Sequence, residues 1–190
     1  SDFKEAFLKL CGLDTMEIIR ENFRRISRNQ ANGSEDLSKE YDALISCGGG
    51  ELMCEILDFV DFEVLKTATP KWFMGYSDNT NLGLLLATHC DIASVYGPNG
   101  PAFGMEPWHC SVQDAYDLVR GSKLSFESYD GWQIESLKTE EAPLLPYNIT
   151  EQPSIRTVNM EQSFTGRLLG GCMDIVANLI GTRFDKVNDY

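Results

Sequence analysis

Between Asp42 and Pro98 the apolar residues come in short bursts, each closed by a glycine turn and followed by apolar positions at helical spacing. Asp42-Ala43-Leu44-Ile45-Ser46-Cys47 predicts a buried strand ending in Gly48-Gly49-Gly50, after which Leu52, Met53, Ile56 and Val60 continue with a helical period. Trp72-Phe73-Met74 predicts a second buried strand, Gly75-Tyr76-Ser77 a sharp turn, and Asn81 onward a helix ending near His89. Ile92 to Tyr96 opens a third strand before Gly97-Pro98. Strands alternating with helices of this length predict an α/β fold built on a parallel sheet with right-handed crossovers. In such sheets the loops at the carboxyl ends of the strands form the site, so Gly48 to Gly50, Gly75 to Ser77 and Gly97 to Gly100 should converge.

On either side of this region the pattern changes. Residues 3–10 and 15–28 carry helical spacing, the second with Met16, Ile19, Phe23 and Ile26 on one stripe and Asp14 with Glu17 placed as a capping pair. Arg20, Arg24, Arg25 and Arg28 lie mostly off that stripe and are interleaved with Glu17 and Glu21, as on a solvated helix face. Asn29 to Lys39 is a polar loop. Beyond the third strand, 103–108 is irregular, Val112 to Val119 is a short helix, and 121–153 is rich in turn residues, with Asp130-Gly131 a turn. Gly166-Arg167-Leu168-Leu169-Gly170-Gly171 then leads into an apolar helix, Met173 to Ile180, stopped by Gly181, which reads as the opening of another domain.

Composition narrows the classes. With 190 residues and 43% hydrophobic content the chain can bury a real core. Residues 1–40 hold 7 basic and 8 acidic groups, so the remaining 9 basic and 21 acidic groups give residues 41–190 a charge of −12 out of −13, which argues against a nucleic-acid partner. Six scattered cysteines with no C-x-x-C pair predict a reducing, cytoplasmic setting without structural zinc or any other metal. No run of about 18 apolar residues predicts a membrane span, and Ser1-Asp2-Phe3-Lys4-Glu5 does not have the order of a secretory signal.

The candidate chemistry centres on Ser77. A strand running through Gly75 into a turn and then a helix is the setting of a nucleophile elbow, with helix N–H groups near the serine. The match to G-x-S-x-G is partial, because Asn79 stands where the second glycine should be. Ser77-Asp78-Asn79-Thr80 equally suits a helix N-cap cluster, since all four side chains can accept from free N–H groups. Bare backbone at Gly49 and Gly50 can approach a substrate and donate N–H groups, whereas the dinucleotide spacing G-x-G-x-x-G fails after Gly50.

The order of Cys47-Gly48-Gly49-Gly50, Pro70-Lys71, Gly75-Tyr76-Ser77-Asp78-Asn79-Thr80, Tyr96-Gly97-Pro98 and Gly166 to Gly171 through Gly181-Thr182 resembles the LD-carboxypeptidase family of serine peptidases, which includes the microcin C immunity peptidases. The resemblance covers roughly residues 42–190. It implies a Rossmann-like parallel sheet with helices on both faces, an N-terminal nucleophile domain with linker over 1–157, and the start of a C-terminal domain over 158–190. By the same resemblance Ser77 is the nucleophile, the N–H of Asp78 with that of Gly49 or Gly50 forms the oxyanion hole, and Tyr76, Asn79, Gly97 and Pro98 line the substrate. The family's triad glutamate and histidine would lie beyond Tyr190, so the chain is expected to be an inactive piece of a longer enzyme. His89 at a helix end and His109 beside Trp108 both precede the expected histidine and are read as structural and rim residues.

The implied substrates are murein tetrapeptides, cleaved at an L,D bond to release D-alanine, or aminoacyl adenylate mimics of the microcin type. The immunity branch stacks a nucleobase on a tryptophan whose place falls near Thr139, with Trp132 aligned to a neighbouring aromatic, which favours the carboxypeptidase. No cofactor is implied; a peptide is the expected partner, with a homodimer as the expected assembly. Two readings of other classes stand beside this one: a non-catalytic binding module holding a small anion at helix N-termini, and a piece that associates through an exposed helix at 173–180. The elbow predicts sparsely allowed dihedrals and an exposed Oγ at Ser77, with the Gly49 or Gly50 N–H within about 6 Å of Oγ.

Overall fold

A computed structural model describes residues 42–156, 158, 163 and 165–190, so the helices expected over 3–10 and 15–28 and the loop that follows lie outside the described residues. Among the described residues three parallel strands, β1 (Ala43–Ile45), β2 (Trp72–Gly75) and β3 (Val95–Tyr96), lie in the order β1-β2-β3. Ala43 pairs with Trp72 and Ile45 with Met74, while Met74 pairs with Val95 and Gly75 with Tyr96. The chain divides into two compact units, one holding 42–102 and 170–190 and the other 103–169. The segment past 158 thus contributes its residues 170–190 to the unit that carries Ser77.

The connections in the first unit follow the expected alternation with local changes. The glycine turn leads into a 3-10 helix, Met53–Phe59, and then into a separate helix α1 (Phe62–Thr67), capped by Asp61 accepting from Val64 N at 3.0 Å. After β2 a 3-10 turn, Ser77–Asn79, runs directly into α2 (Thr80–Cys90). The third strand is shorter than its Ile92–Tyr96 pattern predicts. Asp91 ends α2 at φ 59, and the N–H of Ile92 reaches back to Leu86 O at 3.0 Å, so Ile92 belongs to the helix terminus rather than to the ladder.

α2 is apolar on several sides because it serves two clusters at once. Leu82 and Leu86 pack with Met53, Ile56, Phe73 and Cys90, and Leu84 and Leu85 pack with Leu57 and Leu179. Leu179 belongs to α4 (Met173–Leu179), which is therefore held against α2, the helix that follows the Ser77 turn. Burial, with Glu63 nearby, pushes the Cys90 thiol up, as suits a packing residue rather than a nucleophile.

The second unit contains α3 (Cys110–Val119), whose N-cap is His109 accepting from Ser111 N at 3.2 Å. Asp114 is held low by Lys123, 2.5 Å away, and burial together with Asp114 pushes Tyr129 up to about 12. The turn-rich stretch after Gly121 holds one isolated antiparallel bridge, Trp132 with Glu151. Among the described residues no helix is long and apolar enough to cross a membrane.

Candidate active site

Ser77 sits at the carboxyl end of the middle strand with φ 61, a left-handed conformation that costs a side-chain-bearing residue roughly 1–2 kcal/mol. The strained dihedral expected of an elbow is therefore present. Ser77 is half-buried, and among the described residues its Oγ has no hydrogen-bond partner. Its backbone N–H donates to the Tyr96 hydroxyl at 3.3 Å. Relaxing the backbone with Ser77→Gly should raise stability by roughly 0.5–1 kcal/mol, read as a higher urea midpoint; a lower midpoint would show that the conformation is not strained.

The N-cap alternative fares differently at each of the four polar residues. Asn79, the N-cap of α2, makes no side-chain capping bond. The buried Asp78 carboxylate accepts instead from Met53 N at 2.9 Å and from Asn81 Nδ2 at 2.8 Å, tying the elbow to the segment after the glycine turn. Thr80 Oγ1 accepts from Cys172 N at 2.9 Å. Asn79 is only 1% exposed, and its Nδ2 donates to Gly48 O at 3.0 Å and to Tyr76 O at 2.9 Å. Expected at the substrate, Asn79 lies underneath the site as a strut between two loops.

The three loops converge as the strand order requires. Gly100 N donates to Ser46 O at 2.7 Å, and Gly97 N to Gly75 O at 3.3 Å. A Cβ on Gly49 would lie 3.5 Å from Ser77 Oγ, which limits the Gly49 nitrogen to within about 6 Å of that oxygen. Gly50 has φ 148, and a Cβ there would stand 3.8 Å from an Asp78 carboxylate oxygen. A carbonyl seated on Ser77 would meet backbone from the turn after β1 and from the start of α2, the arrangement an oxyanion needs. Tyr76 is exposed at the mouth, Pro98 is half-buried, and Gly97 is required by packing, since a Cβ there would come within 3.0 Å of Val95 Cγ1 and 3.1 Å of Met74 Sδ.

Within the unit of Ser77, the helix that carries His89 does not bring it to the elbow. His89 lies at the far end of α2, about 13.5 Å along the helix axis from its start, where Nε2 stands 2.9 Å from Phe184 O and the ring is 4.8 Å from Phe62. His109 caps α3 in the second unit beside Tyr129 and Tyr147. The sequence pattern left Tyr96 and Asn99 without a role, although both lie where a parallel strand gives way to its carboxyl-end loop.

Residues 34–97 match the LD-carboxypeptidase N-terminal domain. A Streptomyces coelicolor protein provisionally named a carboxypeptidase is 29% identical over 167 residues, covering 85% of this chain and 46% of that protein. The microcin C7 self-immunity protein MccF, solved as an inactive mutant in the apo state, shares the fold with a TM-score of 0.59 at 20% identity, over 87% of this chain and 47% of MccF. MccF in complex with glutamyl sulfamoyl guanosine aligns with a TM-score of 0.55 at 19% identity, over 77% of this chain and 45% of MccF. The chain spans about half the length of these relatives. The parallel α/β fold is thus shared with MccF, and the likeness to LD-carboxypeptidases rests on residues 34–97 and on the Streptomyces relative.

Proposed function

We propose that this chain, akin to the LD-carboxypeptidases through residues 34–97, carries the nucleophile of a serine peptidase that releases D-alanine from cytoplasmic murein tetrapeptides. The observation that supports it most is Ser77 itself, held at φ 61 between a helix start and the Gly49 turn. Ser77 Oγ attacks the carbonyl carbon as a base takes its proton. The N–H groups of Asp78 and of Gly49 or Gly50 receive the negative oxygen, and the C–N bond breaks to release D-alanine with the proton from the base. Water then hydrolyses the ester on Ser77. A glutamate and a histidine complete the triad in this reading, and the enzyme works without cofactor as a homodimer.

A fluorophosphonate should form an adduct on the Ser77 peptide of the full-length protein, identified by mass spectrometry, with D-alanine released from tetrapeptides faster than an aminoacyl sulfamoyl adenosine is hydrolysed. Preference for the sulfamoyl compound would move the substrate to the microcin type. Absence of both adduct and turnover would remove the peptidase reading.

A further inference from the structure

Two hydrogen-bond donors on the loop after β3 stand unused beside the elbow. Tyr96 Oη accepts from Ser77 N, so its own proton points elsewhere, and among the described residues nothing accepts it. The tyrosine is 56% exposed. Asn99, by contrast, is buried with its amide orientation fixed: Oδ1 accepts from Tyr76 N at 3.4 Å and lies 3.5 Å from Asn79 Nδ2. Its Nδ2 has no partner among the described residues, yet it is not sealed from solvent, unlike the fully buried Asn79 Oδ1. Because β2 lies between β1 and β3, Tyr96 flanks Ser77 on the side opposite the Gly49 turn.

In a carboxypeptidase substrate the free carboxylate lies one Cα beyond the scissile nitrogen, roughly 4 Å from the attacked carbon. Groups that select a chain end must therefore stand beside the nucleophile, on a flank not taken by the oxyanion donors. We infer that Tyr96 Oη and Asn99 Nδ2 hold the C-terminal carboxylate of the substrate, which makes the loop after β3 the element that restricts cleavage to the last peptide bond. This rests on the peptidase reading of Ser77. Hydrogen bonds to a carboxylate are charge-assisted, so two neutral donors suffice for selection without a cation.

The test measures kcat and KM of the full-length protein on a tetrapeptide ending in D-alanine and on the same peptide closed as a carboxamide. The unaltered protein should prefer the free acid by about 100-fold. In Tyr96→Phe, which keeps the ring, that preference should fall about tenfold through the KM of the acid. Asn99→Asp retains the Oδ1 acceptor and puts negative charge where the donor was, so its preference should fall further. If acid and amide lose the same factor in both variants, these residues position Ser77 and the inference is overturned. Equal cleavage of acid and amide by the unaltered protein would overturn it too, while the peptidase reading survived. Cleavage of neither, with Ser77 unlabelled by fluorophosphonate, would overturn both.

Discussion

Ser77→Ala in the full-length protein should lower the release of D-alanine from tetrapeptides by about 10³-fold or more, with the fluorophosphonate adduct abolished. The polar side chains that follow Ser77 are already committed: the Asp78 carboxylate is engaged by Met53 N and Asn81, and Asn79 is buried beneath the loop. Loss of a nucleophile removes the covalent route, and what remains is acceleration by the oxyanion donors alone. Alanine at φ 61 carries the same backbone strain as serine, so the thermal midpoint should stay within about 2 °C. Retention of more than a tenth of the activity would show that Ser77 is not the nucleophile.

Gly75→Ala should be the most damaging single methyl in the elbow. A Cβ at this position would lie 2.7 Å from Asn79 Cγ and 2.9 Å from Asn79 Cβ and Nδ2, well inside contact distance. Asn79 has no open space to take, and moving it breaks its bonds to Gly48 O and Tyr76 O. Overpacking of this kind costs about 1–3 kcal/mol, and stranded buried carbonyls add to it. Urea unfolding should show the loss, and labelling of Ser77 should slow because the glycine turn is released from its strut. The double variant Gly75→Ala with Asn79→Ala should recover part of the stability by making room for the methyl. A single variant as stable as the parent would mean that the packing of Asn79 against Gly75 is not what holds the turn.

The missing second glycine of the elbow acquires a physical meaning in this light. In G-x-S-x-G the second glycine leaves room, whereas here the residue at that place fills the room with an amide that ties the Gly48 turn to Tyr76. From the residue types alone, Ser77-Asp78-Asn79-Thr80 suits capping as well as catalysis, because both uses draw on short polar side chains at a helix start. The choice depends on where partners come from. Asp78 and Thr80 each bond a backbone N–H distant in sequence, at Met53 and Cys172, and no local pattern contains those distances.

Periodicity determined the strand and helix order, the parallel sheet and the convergence of the three carboxyl-end loops, because burial on both faces of a strand and on several sides of a helix writes itself into adjacent residues. The position of Ser77 at a turn was legible for the same reason. The strain at Ser77, the burial of Asn79 and the placement of Tyr96 over the Ser77 N–H were decided only by tertiary structure. Each depends on the register Gly75 to Tyr96 and on the approach of the Gly48 turn, which are set by packing between segments twenty or more residues apart.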